Sequence, residues 1–219
     1  MILEIDNVEL NYNSKRILSG IYLKAETGKV VGVLGSNGCG KTSLLNIIFG
    51  NTKPKYKLIR IDNKPILKPL YKTKLVKYLP QHNFLPNLKL SYIFKLYNIK
   101  WENFTTLFPA FKKYHKTKSR YLSGGELRVV EIYLILKSDS NIVLLDEPFN
   151  GVAPLYIEKI KALINNQKKE KIILLTDHRY TEVIDVSNTI YLLKNGCTKL
   201  INNLSELEDY KYLNIGSLT

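Results

Sequence analysis

The chain has 219 residues, 45% apolar and 24% charged, enough for one well-buried α/β domain with at most a small appended subdomain. No apolar run approaches the roughly 18 residues a bilayer span needs, and MILEIDNVEL lacks the basic start and long apolar core of a secretory signal. Cys39 and Cys197 fit neither a disulfide framework nor a metal-ligand spacing, so a cytoplasmic protein is expected.

From the N-terminus, ILEIDNVEL (2–10) and ILSGIYLKA (17–25) place apolar residues near alternate positions and read as strands. VVGVL (30–34) is wholly apolar, runs into a glycine-rich turn, and is followed by KTSLLNIIFG (41–50), which has helical spacing and ends on Gly50. KLIRID (57–62) and LVKYLP (75–80) are further strands. Residues 88–119, rich in Lys, Tyr and Phe, predict a small subdomain of short helices broken at Pro109. A helix over 123–137, a strand over 141–145, a helix over 154–169 and a strand over 171–176 follow. A short helix near 179–186 and a strand over 189–196 complete the pattern. The alternation in the second half argues for a mostly parallel sheet covered by helices, with the β-rich start as an antiparallel layer. The expected fold class is α/β, with 1–87 and 120–219 as one core and 88–119 as the helical subdomain.

The net charge of +14 comes from 33 basic residues, of which only five are Arg. They are scattered, and Lys, Asn, Ile and Tyr are all plentiful, a bias that an A+T-rich genome also produces. A solvated surface and a polyanion-binding face both remain open. No basic arm or aromatic-interleaved stripe points to nucleic acid, and no direct nucleic-acid contact is expected.

GSNGCGKT (35–42) fits G-x-x-x-x-G-K-[ST] between a predicted strand and a predicted helix. Gly35, Gly38 and Gly40 let the chain turn so that successive N–H groups, with those of Ser36, Asn37, Cys39 and Ser43, face one concavity. The helix N-terminus adds positive potential. Lys41 then reaches the β- and γ-phosphates of ATP, and the Thr42 hydroxyl ligates Mg²⁺. Cys39 is read as a small tolerated residue rather than a reactive thiol. In IVLLDEPFNGVAP (142–154) two adjacent acids close an apolar strand. Neighbouring side chains on an extended chain point opposite ways. Asp146 is therefore assigned to the metal, and Glu147 to orienting or deprotonating the attacking water.

YLSGGE (121–126), followed by a helix and then IVLLDEP, resembles the signature and Walker B segments of the ATP-binding cassette (ABC) family, and the likeness covers essentially the whole chain. Within it, Gln81 in YLPQ stands where the family has its Q-loop, and His178 in LLTDHR where it has its switch histidine. Tyr12 in LNYNSKRIL stands where an aromatic stacks on adenine; packing alone is the competing account for a tyrosine among 15. The resemblance implies two cassettes sandwiching two ATP molecules head to tail. Ser123, Gly124, Gly125 and Glu126 of one would then cap the γ-phosphate held by the other. Gln81 would sense Mg²⁺ and report to an integral membrane subunit, and His178 would contact the γ-phosphate. The protein would thus be a transporter ATPase, peripheral on the inner face of the cell membrane. Phe84, Leu85, Tyr92, Phe94 and Tyr97 form either a groove for that membrane subunit or ordinary core.

EPFNGVAP, TDH and the tail YKYLNIGSL are most similar to the branch serving lipopolysaccharide export and branched-chain amino acid uptake. Two departures stand out: Ala153 occupies the place of an Asp in the D-loop, and Arg128 is the single basic residue just after the signature. The alternatives are a soluble ABC factor working without a transporter, or a degenerate cassette that binds ATP with little turnover.

Overall fold

In the computed structural model, which describes residues 1–13 and 15–217, the alternating apolar start becomes β1 (Ile2–Tyr12), with Leu3, Ile5, Val8 and Leu10 buried. A bulge around Asn7, at φ +47°, shifts the register between Ile5 and Val8. That extra residue keeps Val8 on the buried face. β2 (Lys15–Glu26) pairs with β1 antiparallel, and β4 (Tyr56–Ile61), which follows the main sheet's first strand in the chain, pairs on its other side. The two-residue β5 (Lys64–Pro65) ends this layer, in the order β2-β1-β4-β5.

The main sheet has the order β10-β9-β3-β8-β7-β6. β3 (Val30–Leu34), β6 (Val76–Leu79), β7 (Ile142–Asp146), β8 (Ile172–Thr176) and β9 (Thr189–Lys194) run parallel. β3, β7 and β8 are buried at every position because both sheet faces are covered. Val31, Val33, Ile142, Leu144, Ile172 and Leu174 face the antiparallel layer and α1 (Lys41–Phe49). Val30, Leu34, Val143, Leu145, Ile173 and Leu175 face the helices on the opposite side.

α2 (Leu90–Leu96) and α3 (Trp101–Leu107) are short helices within 88–119, and Pro109 begins a 3₁₀ turn instead of prolonging α3. The packing around them is aromatic: Phe104 lies 4.9 Å, ring centroid to centroid, from Tyr133 and 5.1 Å from both Phe94 and Phe111. Phe94 is therefore core, whereas Tyr92 is exposed, and Phe84, Leu85 and Tyr97 are partly buried against the core. Tyr133 belongs to α4 (Gly124–Lys137), a helix buried on nearly every side, and α5 (Pro154–Gln167) packs beside it.

Beyond α6 (Tyr180–Val186), the chain forms β9 and then β10 (Cys197–Ile201), a strand absent from the sequence reading. The signal was present in Asn195-Gly196, both at positive φ. This dipeptide suits a two-residue hairpin turn. A single-turn helix, α7 (Glu206–Asp209), precedes the tail, whose Tyr210, Tyr212 and Leu213 pack on the core. Leu218, the last residue of YKYLNIGSL, lies outside the described residues. Among the described residues no helix is long and apolar enough to cross a membrane.

Candidate active site

The parallel strands all end at one edge of the main sheet, and a ligand crevice is expected at the carboxyl ends of such strands. β3 leads there into the glycine loop, β6 into Gln81, β7 into Asp146–Glu147, and β8 into Asp177–His178. The loop enters α1 through Gly40 in the left-handed region at φ +109°, where a Cβ would also stand 2.9 Å from Leu18 Cδ2. Only glycine serves both demands. No side chain caps α1, and its first turn holds no acidic residue. Its leading N–H groups therefore face the crevice with their positive end and no competing carboxylate. Lys41 is buried, and its Nζ donates to the carbonyls of Gly35, at 2.6 Å, and Ser36, at 3.2 Å. Burial pushes the Cys39 thiol above its usual range, against the pull of Lys41, which fits an unreactive thiol.

A cavity of about 600 Å³ opens over this loop. Tyr12, Asn37, Gly38, Gly40, Lys41, Thr42 and Ser43 line it together with Gln81, Glu147 and His178. The fold thus gathers residues from five separate stretches of chain around one space of nucleotide size. Tyr12, half exposed, sits on its rim. Ile17 and Asn150 also line it, and sequence reasoning did not single them out.

The two adjacent acids have different surroundings. Asp146, fully buried, accepts bonds from Thr176 Oγ1 at 2.7 Å and Tyr78 Oη at 3.0 Å. Burial and the Asp146 carboxylate hold the Tyr78 phenol well above its usual range, so it stays a donor. Glu147 stands at φ +49°, an uncommon conformation for a side-chain-bearing residue. This turn past the strand end, rather than simple strand alternation, aims Glu147 at the cavity. Gln81 Nε2 donates to Glu147 Oε2 at 2.9 Å, and Asn150 Nδ2 reaches the same oxygen at 3.5 Å. His178 Nδ1 lies 3.7 Å from it and 3.4 Å from Asp177 Oδ1. Asp177, fully buried and absent from the sequence reading, accepts the N–H bonds of Phe149 and Arg179 at 3.0 Å each. It ties the turn after Glu147 to the turn carrying His178. Burial pushes its carboxyl above the usual range, opposed by those two bonds.

Ser123, Gly124, Gly125 and Glu126 are not among the residues lining this cavity. They form the start of α4, where Ser123 Oγ accepts from Glu126 N–H at 3.2 Å and Glu126 Oε2 accepts from Ser123 N–H at 2.9 Å. This reciprocal capping box settles the helix end within the chain. The Tyr114 hydroxyl adds a 2.8 Å bond to Glu126 Oε1. Burial pushes the Glu126 carboxyl up, but the bonds from Ser123 and Tyr114 outweigh it and hold the carboxyl below its usual range. Gly124 is open to solvent space, while a Cβ on Gly125 would lie 2.2 Å from the Gly151 carbonyl oxygen.

The sequence model of the ABC transporter family matches residues 18–150, well over half of the chain. The chain belongs to the ABC transporter family. As an ABC ATPase subunit it is 30% identical to the lipopolysaccharide export system ATP-binding protein LptB of Haemophilus influenzae, over 89% of this chain and 88% of that protein. It is 34% identical to an uncharacterised ABC transporter ATP-binding protein of Methanocaldococcus jannaschii, over 90% of this chain and 84% of that one. A solved structure described as the ATP-binding subunit of an ABC transporter superposes with a TM-score of 0.81 at 23% identity, covering 100% of this chain and 96% of that one. A bacterial Atm1-family ABC exporter with ATP bound gives 0.83 at 21% identity, over 95% of this chain and 40% of its own. Both structures share the fold.

Proposed function

We propose that this ABC ATPase works as one of a head-to-tail pair of cassettes on separate membrane-spanning subunits, at the inner face of the membrane. The observation that carries this reading is the separation of two half-sites. The phosphate loop and Glu147 share one cavity, whereas Ser123 and Gly124 sit exposed at another helix start, outside it. A second cassette turned by a two-fold axis would bring its signature over this loop, and each site would draw residues from both chains.

In this reading ATP is the substrate. Tyr12 stacks on the base, and the α1 N–H groups and Lys41 hold the phosphates. Thr42, Gln81 and Asp146 suit Mg²⁺: all offer hard oxygen donors, and no cluster of three or more His, Cys, Asp or Glu residues competes for a metal among the described residues. Both Asp146 oxygens already accept protein hydrogen bonds, which favours contact through water over direct ligation. Bound Mg²⁺ would neutralise charge on the β- and γ-phosphates. Glu147 accepts the proton of the attacking water, and His178 stands beside it to contact the γ-phosphate.

Glu147→Gln is the decisive variant. It should keep ATP affinity, nearly abolish hydrolysis, and shift the chain toward dimers in ATP on size-exclusion chromatography. Undiminished hydrolysis would remove Glu147 from its role. Lys41→Ala should lose nucleotide binding in a direct titration. Co-purification of a membrane protein with the tagged full chain distinguishes a transporter subunit from a soluble factor. An inert complex of the two would favour a degenerate cassette.

A further inference from the structure

Arg128, the single basic residue just after the signature, is 3% exposed inside α4. Its guanidinium spreads over three backbone carbonyls. Nη1 donates to Pro80 at 2.6 Å, and Nη2 donates to Asp146 and, at 3.1 Å, to Glu147. These acceptors are the residue before Gln81 and the two acids themselves. Glu131, one helical turn on and fully buried, places Oε2 3.6 Å from Arg128 Nη1. Its Oε1 accepts the N–H groups of Phe84, at 2.8 Å, and Leu85, at 3.2 Å, on the far side of Gln81. One buried ion pair thus grips the chain on both sides of Gln81 and behind both acids.

Two further facts separate this from generic core polarity. Glu147 occupies the left-handed region, a conformation that surrounding contacts must hold in place. Its N–H is held by the Thr176 carbonyl at 2.8 Å, and its own carbonyl by Arg128. The planar five-donor fork of arginine can span three carbonyls on two strand ends, which a single ammonium cannot match. Burying two charges is costly, and such a pair is not needed merely to fill this volume.

The geometry points to Arg128 and Glu131 as a paired positioning device. Arg128 fixes the left-handed backbone that aims Glu147, and Glu131 hangs the Gln81 segment from the same guanidinium, so the base and the Gln81 segment move together. This rests on the reading of Glu147 as the base given above. Displacement of the Gln81 segment by a docked subunit would then reach Glu147 through the two charges.

The test uses the full chain with Arg128→Lys and Glu131→Gln. Arg128→Lys should lower kcat on the order of 10- to 100-fold with KM for ATP and equilibrium ATP affinity unchanged. A structural role alone would instead lower affinity and thermal stability together. Amide hydrogen exchange gives a second readout that needs no turnover. In both variants the amides of Glu147, Phe84 and Leu85 should exchange faster together, while those of Val30–Leu34 keep wild-type rates. An unchanged kcat, a raised KM at constant kcat, or exchange that rises in one segment and not the other overturns the pairing. If Glu147→Gln abolishes hydrolysis while Arg128→Lys leaves kcat intact, this inference fails alone. If Glu147→Gln itself remains active, the assignment of the base fails first.

Discussion

Gly124 and Gly125 stand side by side at the start of α4 and look interchangeable in SGGE, yet they should answer alanine oppositely. A Cβ on Gly124 meets nothing within 4 Å. Alanine there should gain a few tenths of a kcal/mol, part of the roughly 0.8–1.0 kcal/mol that separates the two residues in a helix interior. On Gly125 the new carbon would stand 2.2 Å from the Gly151 carbonyl oxygen, a backbone atom with no rotamer to change. Relief requires α4 and the turn after Glu147 to move apart by about 1 Å, and overpacking of this kind costs about 1–3 kcal/mol. The net expectation for Gly125→Ala is a loss of about 0.5–2.5 kcal/mol after the helix gain is subtracted. With a urea slope of about 2 kcal/mol/M, its unfolding midpoint should fall by about 0.3–1.2 M, while that of Gly124→Ala stays at or slightly above wild type. Hydrolysis supplies a contrast: Gly124→Ala should still slow turnover, because its exposed face meets the second cassette in the proposed dimer. Matching midpoints for the two variants would refute the claim that Gly125 is glycine because of Gly151.

Ala153 is the N-cap of α5, with no side chain to bond the helix's first N–H groups. Ala153→Asp should therefore raise stability by about 1 kcal/mol, read as a higher urea midpoint, whatever it does to turnover. Phe104 is fully buried among five aromatic rings. Phe104→Ala should cost about 3–5 kcal/mol by the same assay, and a loss below about 1 kcal/mol would mean that this aromatic cluster is loosely packed. Asp177 titrates above its ordinary value because it is buried. Its contribution to stability is thus fully present below about pH 4, its unfolded value, and is lost as pH rises through the raised folded value. Urea midpoints measured across pH should show the advantage of wild type over Asp177→Asn shrinking as pH increases; an advantage that grows with pH contradicts the assignment.

Motifs built from contiguous residues were legible from sequence because their physics is local. The glycine loop, Lys41 and Thr42 lie within eight successive residues, GSNGCGKT, and a strand-to-helix turn of that composition can only present its N–H groups one way. The apolar runs of β3, β7 and β8 likewise announced a sheet covered on both faces. Even the missed β10 had a local sign in Asn195-Gly196. What only the tertiary structure decided depends on partners far apart in the chain. Arg128 bonds residues 48, 18 and 19 positions away, so its sequence neighbours could not separate a buried clamp from a surface charge. Asp177 reaches 28 residues back to Phe149, and Gly125 is constrained by Gly151. Glu147 faces the cavity through a left-handed backbone, held by Thr176 and Arg128, that no period-2 argument supplies. The sequence named the acids, and long-range hydrogen bonds to their backbone aimed them, because a buried carbonyl takes whichever donor the packed fold brings to it.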